Sequence, residues 1–167
     1  MAAVTTAYLI GAIIAVVLTV GLFALAWYGW RSRKRGQSHI PAPPQVPAEL
    51  DGAGDRIPAM YVATTLERQR LERVAVHTLG IRTQGAVFPC ERGVIVERAG
   101  VPDFFIPREA ITGVRAESGM AGKFVEKDGL VVVTWTLGET SVDTGFRPRA
   151  AADRPRLIEE IRTLAAS

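Results

Sequence analysis

The sequence predicts a single transmembrane helix followed by a mainly-β (α+β) domain of about seven short strands, which a C-terminal helix caps. Three observations support this fold class. A run of 23 residues without a formal charge, 8–30, lies near the N-terminus. From residue 58 onward, short β-branched and aromatic segments alternate with turns that contain Gly or Pro. Apolar residues at helical spacing then follow Asp153 and Pro155, at Leu157, Ile158, Ile161, Leu164 and Ala165.

The uncharged run is long enough to cross a bilayer. A helix over 8–30 would span roughly 34 Å at about 1.5 Å per residue, whereas a hydrocarbon core is about 30 Å thick. Aromatic rings favour the membrane interface, and they cluster near both ends of this run. The predicted interface residues are Tyr8, Trp27, Tyr28 and Trp30.

The flanking charges predict the direction of insertion. Residues 1–7 carry no charged side chain, whereas four basic residues follow the run directly: Arg31, Arg33, Lys34 and Arg35. Because Lys and Arg beside a span stay in the cytoplasm, we expect a short extracytoplasmic N-terminus and a cytoplasmic domain at the cell membrane. A secretory signal would have a shorter apolar stretch and basic residues on the other side, so an uncleaved anchor is favoured. Four basic residues are the lower limit for binding anionic lipid, and a topology signal is the preferred interpretation.

Small residues recur along one face of the predicted helix. Ala7, Gly11, Ala15 and Thr19 are spaced by four, which is typical of closely packed membrane helix dimers. Gly and Ala are also common in membrane helices that do not pair. Homodimerisation through Ala7, Gly11 and Ala15 is therefore a hypothesis.

A basic and then Pro-rich linker is predicted over 31–57. Prolines fix the backbone and remove amide donors, so this stretch should be an extended, partly stiff spacer. They are Pro41, Pro43, Pro44 and Pro47, with Pro58 just beyond. The cytoplasmic domain is then assigned to 58–167.

Within that domain, alternation and turn residues predict strands, and 130–137 is apolar enough to be a covered central strand. The predicted strands are 60–65, 84–89, 93–98, 103–106, 111–117, 130–137 and 141–146. Residues 66–79 have a different period and predict a helix, with Thr65 as its N-cap and Gly80 as its stop. Its apolar face would contain Leu71, Val74, Ala75, Thr78 and Leu79, and His77 would lie in its last turn.

Composition and motifs point away from several function classes. The single Cys90 cannot form an internal disulfide, and two distant histidines supply no recognisable metal set. Gly119–Lys123 lacks the spacing of a phosphate loop, and Phe124 stands where its hydroxyl should be. From residue 56 onward, 16 basic and 14 acidic residues are interspersed, without the basic footprint of a nucleic-acid-binding protein. No catalytic constellation, cofactor site or metal site is predicted.

Several segments resemble a known family. The run 91–111, Gly119–Lys123, Asp128–Leu130, Trp135 and Asp143–Arg147 are similar to the membrane-anchored PH-like proteins of actinobacteria. The resemblance covers roughly 58–164 together with the anchor. It implies a PH-like barrel of about seven strands capped by a C-terminal helix, and it carries over no catalytic residues.

The leading functional hypothesis is a membrane-tethered PH-like interaction module that binds a cytoplasmic or membrane protein. The expected contact surfaces are 119–129 and 143–149, because binding residues are frequent in such loops. One alternative is a sensor of anionic lipid or head groups, and another is an accessory subunit of a membrane transport complex. The candidate partner- or lipid-binding residues are Lys123, Lys127, Arg147 and Arg149.

Overall fold

The computed structural model describes residues 2–37, 39–50, 55–67, 69 and 71–166, with side chains omitted for 2–9, 30, 32–36 and 123. The chain forms two compact units, Met1–Ser38 and His39–Ser167. The first contains helix α1, Ala2–Gly36. Its stretch Ile10–Gly29 is long and apolar enough to cross a membrane, which agrees with the helix predicted over 8–30. The direction of insertion and the pairing of two helices remain predictions.

The residues predicted at the membrane interface are only partly described. Trp27, Tyr28 and Arg31 are exposed on α1. The side chains of the other predicted interface residues, and that of Ala7, lie outside the described part of the chain: Tyr8, Trp30, Arg33, Lys34 and Arg35. Their interfacial role therefore stays a prediction.

The second unit is built on one antiparallel sheet of seven strands, which confirms the predicted strand number. Its strand order is β4-β3-β2-β1-β9-β8-β5, and β6 and β7 form a separate small hairpin. The strands are β1 Ile57–Leu66, β2 Thr83–Cys90, β3 Gly93–Arg98, β4 Phe104–Pro107, β5 Ile111–Glu117, β6 Gly119–Met120, β7 Lys123–Phe124, β8 Leu130–Leu137 and β9 Thr140–Pro148. Helix α2, Asp153–Ala166, follows the last strand.

The sheet curls into a half-barrel around its core. The two edge strands, β4 and β5, are consecutive in the chain, and the short 3-10 turn Arg108–Ala110 joins them. That connection brings the two edges of the sheet towards each other. The core contains Trp135 and Phe104, whose rings stack, while Leu157 and Ile161 of α2 are buried against it. The predicted barrel with a C-terminal helical cap is thus confirmed.

Residues from outside the sheet fill the other end of the barrel. Ile40, Val74 and Leu79 are buried in the same core as the strands. Arg98, at the end of β3, is only 4% exposed and lies over the rings of Tyr61 and Phe104. Its guanidinium donates to the carbonyl oxygens of Thr78 and Pro102, at 3.1 and 2.5 Å. Its charge is thereby compensated, and this end of the barrel is closed.

The helix predicted over 66–79 is wrong. The described residues of this stretch are irregular, and Thr65 lies within β1 instead of capping a helix. The positive φ angles of His77 (54°) and Thr78 (60°) are incompatible with a continuing α-helix. Pairing between β1 and β2 ends at Tyr61. The backbone of Thr64 instead bonds to Val74 and Leu79, since buried amide and carbonyl groups must find partners.

Part of the predicted linker lies against the β-domain. Residues 40–50, which we name the strap, have no regular secondary structure over 41–47 and end in a 3-10 turn, Ala48–Leu50. The carbonyl of Ile40 lies 2.9 Å from Nε2 of His77. Farther along, the strap packs on the outer face of the sheet through Val46 and Leu50. The extended backbone expected from the prolines stays a prediction, and the position of the strap on the sheet was not predicted.

Candidate interaction surfaces

The β6–β7 hairpin covers one outer face of the sheet. Met120 and Ala121 are buried against residues of β1 and β8, including Ala63 and Val132. Ala121 (φ 54°) and Gly122 (φ 74°) form the tight turn, a backbone that suits a two-residue hairpin loop. Gly145 of β9 lies directly beneath it, since a Cβ there would be 2.3 Å from Sδ of Met120 and would require the Met120 side chain to shift. The side of the hairpin that faces the sheet is therefore packed firmly on it.

Above this packed side, two large apolar side chains face solvent. Phe124 is 90% exposed and Leu71 is 80% exposed, and both line one cleft of about 470 Å³ with Gly119 and Gly122. We name these four residues the hairpin patch. The predicted position of Leu71 on the apolar face of a helix is therefore wrong, and Phe124 was considered only as a departure from the phosphate-loop motif. The available signal for Phe124 was an aromatic residue inside a Gly-rich, charged turn.

An ion pair between a buried carboxylate and a partly exposed arginine lies on the outer face beside the hairpin. Arg115 of β5 donates to both carboxylate oxygens of Asp143, at 3.1 and 2.7 Å, and also to Glu117 at 2.9 Å. Asp143 is only 1% exposed and accepts a further hydrogen bond from Thr134. The hydrogen bond to Asp143 raises the pKa of Arg115. Because the two oxygens of Asp143 are already bonded, this cluster holds three strands together and does not resemble a free acid–base pair.

A second cleft brings three arginines together, and we name it the arginine cleft. Arg147, Arg149 and Arg154 line a cavity of about 280 Å³ together with Met60, Gln84 and Glu126. Glu126 lies 2.8 Å from Nη2 of Arg147 and 3.9 Å from Nη1 of Arg154. A hydrogen bond from its own backbone N–H lowers the pKa of Glu126, and the two arginines lower it further. Three arginines and one glutamate leave this cleft with a net positive charge.

The candidate binding residues fall unequally on these surfaces. The structure brings Arg147 and Arg149 into one cleft. Arg154, in the first turn of α2, also lines this cleft and was not among the predicted binding residues. Lys127 is exposed but does not line that cleft. The side chain of Lys123 lies outside the described residues. No pattern in the sequence signalled that the first turn of α2 would lie beside the end of β9.

A buried polar network crosses the core. The hydroxyl of Tyr61 donates to the carbonyl of Leu79 at 2.6 Å and lies 2.8 Å from Oγ1 of Thr64. Burial raises the pKa of Tyr61 to about 12. Such a phenol is a poor proton donor at neutral pH, so its role is to tie β1 to the β1–β2 connection. In the part of the chain that the structure describes, no group of three or more His, Cys, Asp or Glu side chains is placed to hold a metal ion.

Comparison with known proteins bears on the family and fold. Among solved structures, Vav1 in complex with an allosteric inhibitor is similar at 13% identity and a TM-score of 0.40. The match covers 75% of this chain and 30% of the Vav1 chain, and at that level it carries no argument about function. A search of curated proteins found no match. The family model described as bacterial PH domain-like matches residues 40–162, which is most of the chain. The chain therefore belongs to the bacterial PH domain-like family.

Proposed function

We propose that this protein is a membrane-tethered interaction module whose PH-like domain binds a protein partner, cytoplasmic or embedded in the membrane. Helix α1 would serve as the anchor, since it is long and apolar enough to span a bilayer. The PH-like fold is a common scaffold for binding proteins or lipids. The observation that carries the proposal is the hairpin patch, with Phe124 90% and Leu71 80% exposed.

The hairpin patch has the properties of a recognition surface. Aromatic side chains supply large contact areas and are enriched among the residues that dominate binding energy. Met120 and Ala121, on the side of the hairpin that faces the sheet, are buried against it. Arg73 also donates to the carbonyl of Ala121 at 2.9 Å. A patch held this firmly loses little conformational freedom on binding, which favours affinity.

The charges around the patch favour a protein over a bilayer. Glu117 and Asp128 line the same cleft as Phe124. Because Arg115 pairs with Glu117, the exposed Asp128 supplies the negative charge of this cleft, and the negatively charged cytoplasmic leaflet would repel it. A protein surface with apolar and basic groups can instead satisfy both the patch and its acidic rim. We therefore propose a protein partner for this surface.

The test is site-specific photo-cross-linking from position 124 of the full chain in native membranes. We expect a discrete protein adduct that is lost when Leu71→Ser is added, because the two side chains line one surface. Ile81→Ser is the matched control, since Ile81 is also an exposed apolar residue, at 48% exposure, and does not line this cleft. Adducts to lipid alone would assign the patch to the bilayer. An adduct pattern unchanged by Leu71→Ser would remove the patch from partner binding.

A second candidate function is binding of an anionic head group in the arginine cleft. Its support is a single cleft lined by three arginines, two of which, Arg147 and Arg154, lie beside the Glu126 carboxylate. Charge-assisted bonds from arginine to phosphate are strong and geometrically specific. The full chain in nanodiscs should show salt-sensitive amide protection over 147–154 only when the discs contain anionic lipid. Arg147→Gln should abolish that protection, whereas Arg162→Gln, at another exposed ion pair, should not.

A further inference from the structure

The outer face of β2, β3 and β4 is apolar. Ala86, Phe88, Ile95 and Phe105 form a buried cluster separate from the barrel core. They alternate along their strands with core residues such as Val87, so their side chains leave the opposite face of the sheet. The outer face of an antiparallel sheet usually meets water and is polar. Four apolar side chains on this face therefore require a cover.

The strap supplies that cover, and it does so incompletely. Val46 and Leu50 pack on the cluster, and the N–H of Phe105 donates to the carbonyl of Pro44 at 2.8 Å. Arg92 also pairs with Glu49 at 3.0 Å. A cleft of about 360 Å³ remains, lined by strap residues on one side and by Phe88 and Ile95 on the other. The strap thus fills only part of the groove.

The polar contacts of the strap are of a kind that a separate peptide can make. β4 is an edge strand, so the Phe105 N–H can pair with any extended chain laid beside it. The Arg92–Glu49 pair is exposed on both sides, and exposed pairs add little stability. The exposed strap residues are Pro41, Ala42, Pro44, Gln45, Ala48 and Glu49.

We propose that this outer face is a docking groove for an extended, proline-containing peptide of a partner protein, and that the strap occupies the groove in cis. The strap defines the ligand chemistry. Two apolar side chains stand four positions apart, at Val46 and Leu50, and an acidic side chain meets Arg92. A backbone carbonyl accepts from the Phe105 N–H. Prolines keep such a segment extended, so little entropy is lost on docking.

Cis occupancy determines how the groove behaves towards a partner. The strap is joined to the domain through a few residues, so its effective concentration at the groove is high. A peptide in trans binds only the fraction of molecules whose strap has left, and its apparent affinity falls by that fraction. Weakening the strap should therefore open the groove without altering it. This proposal uses a surface different from the hairpin patch and does not depend on it.

The test measures binding of a labelled synthetic peptide of residues 41–50 to the full chain in nanodiscs. The chain with Val46→Asp and Leu50→Asp should bind this peptide at least tenfold more tightly than the unaltered chain. A peptide carrying the same two substitutions should not bind. Adding Ile95→Asp to the weakened chain should abolish binding, because it places a charge in the groove. No peptide binding by a weakened chain that keeps its near-ultraviolet circular dichroism would overturn the proposal.

A second measurement applies if the weakened chain loses its fold. A specific protease site inserted among residues 51–54 of the unaltered chain allows the strap to be cut from the sheet. After cleavage, we expect the domain to stay with the membrane fraction and to be released by an excess of peptide 40–50, which also replaces the buried Ile40, but not by the same peptide with the two substitutions. Retention of the domain at saturating peptide would show a permanent structural strap and would overturn the proposal. Release without any peptide would also overturn it, since the groove would then not hold the strap.

Discussion

Two outer faces of the same sheet are apolar, and two different segments cover them. The β6–β7 hairpin covers β1 and β8 with its buried residues Met120 and Ala121, and it is formed from the chain that joins β5 to β8. The strap covers β2, β3 and β4 from outside the sheet and leaves a cleft beneath it. Because the hairpin is joined at both ends to strands of the sheet whereas the strap precedes β1, we expect the hairpin to be a fixed cover and the strap to be an exchangeable one.

The largest expected change in the free energy of unfolding comes from breaking the ion pair between Arg115 and Asp143, beside the hairpin. Arg115→Met leaves the carboxylate of Asp143, which is 1% exposed, without its cation. Removing one partner of a buried pair is strongly destabilising, and we expect a loss of about 3 kcal/mol in the free energy of unfolding. Chemical denaturation of the parent and the variant in detergent micelles measures this loss in the free energy of unfolding. Asp143→Asn added to Arg115→Met should restore part of the loss, and a single variant within about 1 kcal/mol of the parent would contradict the prediction.

The next largest change in stability is expected from crowding the contact between the hairpin and β9. Gly145→Ala places a methyl group 2.3 Å from Sδ of Met120 and should cost about 1–3 kcal/mol, as overpacked sites do. Met120→Ala should relieve the clash, so the double variant should be more stable than additivity of the two single variants predicts. Gly113→Ala on β5 is the matched control, because nothing lies within 4 Å of its added Cβ. Equal losses of stability for Gly145→Ala and Gly113→Ala would show that the clash with Met120 does not cause the destabilisation.

A third prediction concerns the barrel end where the strap begins. Tyr61→Phe removes one of two donors to the buried Leu79 carbonyl, which keeps its hydrogen bond from the Thr64 N–H. The expected loss in the free energy of unfolding is therefore that of one hydrogen bond, about 1 kcal/mol near neutral pH. The raised pKa of Tyr61 means that the folded state holds the phenolic proton more tightly than the unfolded state does.

The sign of the pH dependence follows from that pKa. The contribution of Tyr61 is complete below its ordinary pKa of 10.0 and is lost as the pH rises from there through about 12. The stability difference between the parent and Tyr61→Phe should therefore shrink over this range. Denaturation series at pH 9 and at successive higher values compare the two proteins. A difference that stays constant with pH would show that the Tyr61 phenol does not titrate differently in the two states.

The comparison of the two covers also shows what the sequence could predict. Strands 93–98, 111–117 and 130–137 were predicted with their observed bounds, because alternation and turn residues are local signals. The prediction of a helix over 66–79 failed because only Val74 and Leu79 of the predicted apolar face are buried, five positions apart, and both bond to the backbone of Thr64 in β1. The position of the strap could not be predicted for a different reason. Its composition predicts only an extended backbone, whereas its place on the sheet depends on a hydrogen bond from Phe105, far along the chain.

The candidate surfaces also combine residues that local sequence predicts with residues that only the tertiary fold brings together. Arg147 and Arg149 were predicted together because they are near neighbours at the end of β9. Arg154 and Glu126 join them only through the tertiary fold, from α2 and from the loop before β8. Phe124 is conspicuous only once the burial of Met120 shows that the hairpin lies on the sheet and exposes its next strand. Local patterns thus predict elements, while surfaces formed by several elements require the fold.

The smallest expected effect is the sharpest test of whether the strap is exchangeable. Glu49→Gln breaks the exposed pair with Arg92 and should change the global stability by less than about 0.5 kcal/mol. The strap should nevertheless open more often, so the Phe105 amide, which donates to Pro44, should exchange about twofold faster. Glu159→Gln, at the exposed pair with Arg162 on α2, is the matched control and should leave that amide unchanged. If the Phe105 amide exchanges only through global unfolding, the strap is as fixed as the hairpin, and the two covers differ in origin but not in behaviour.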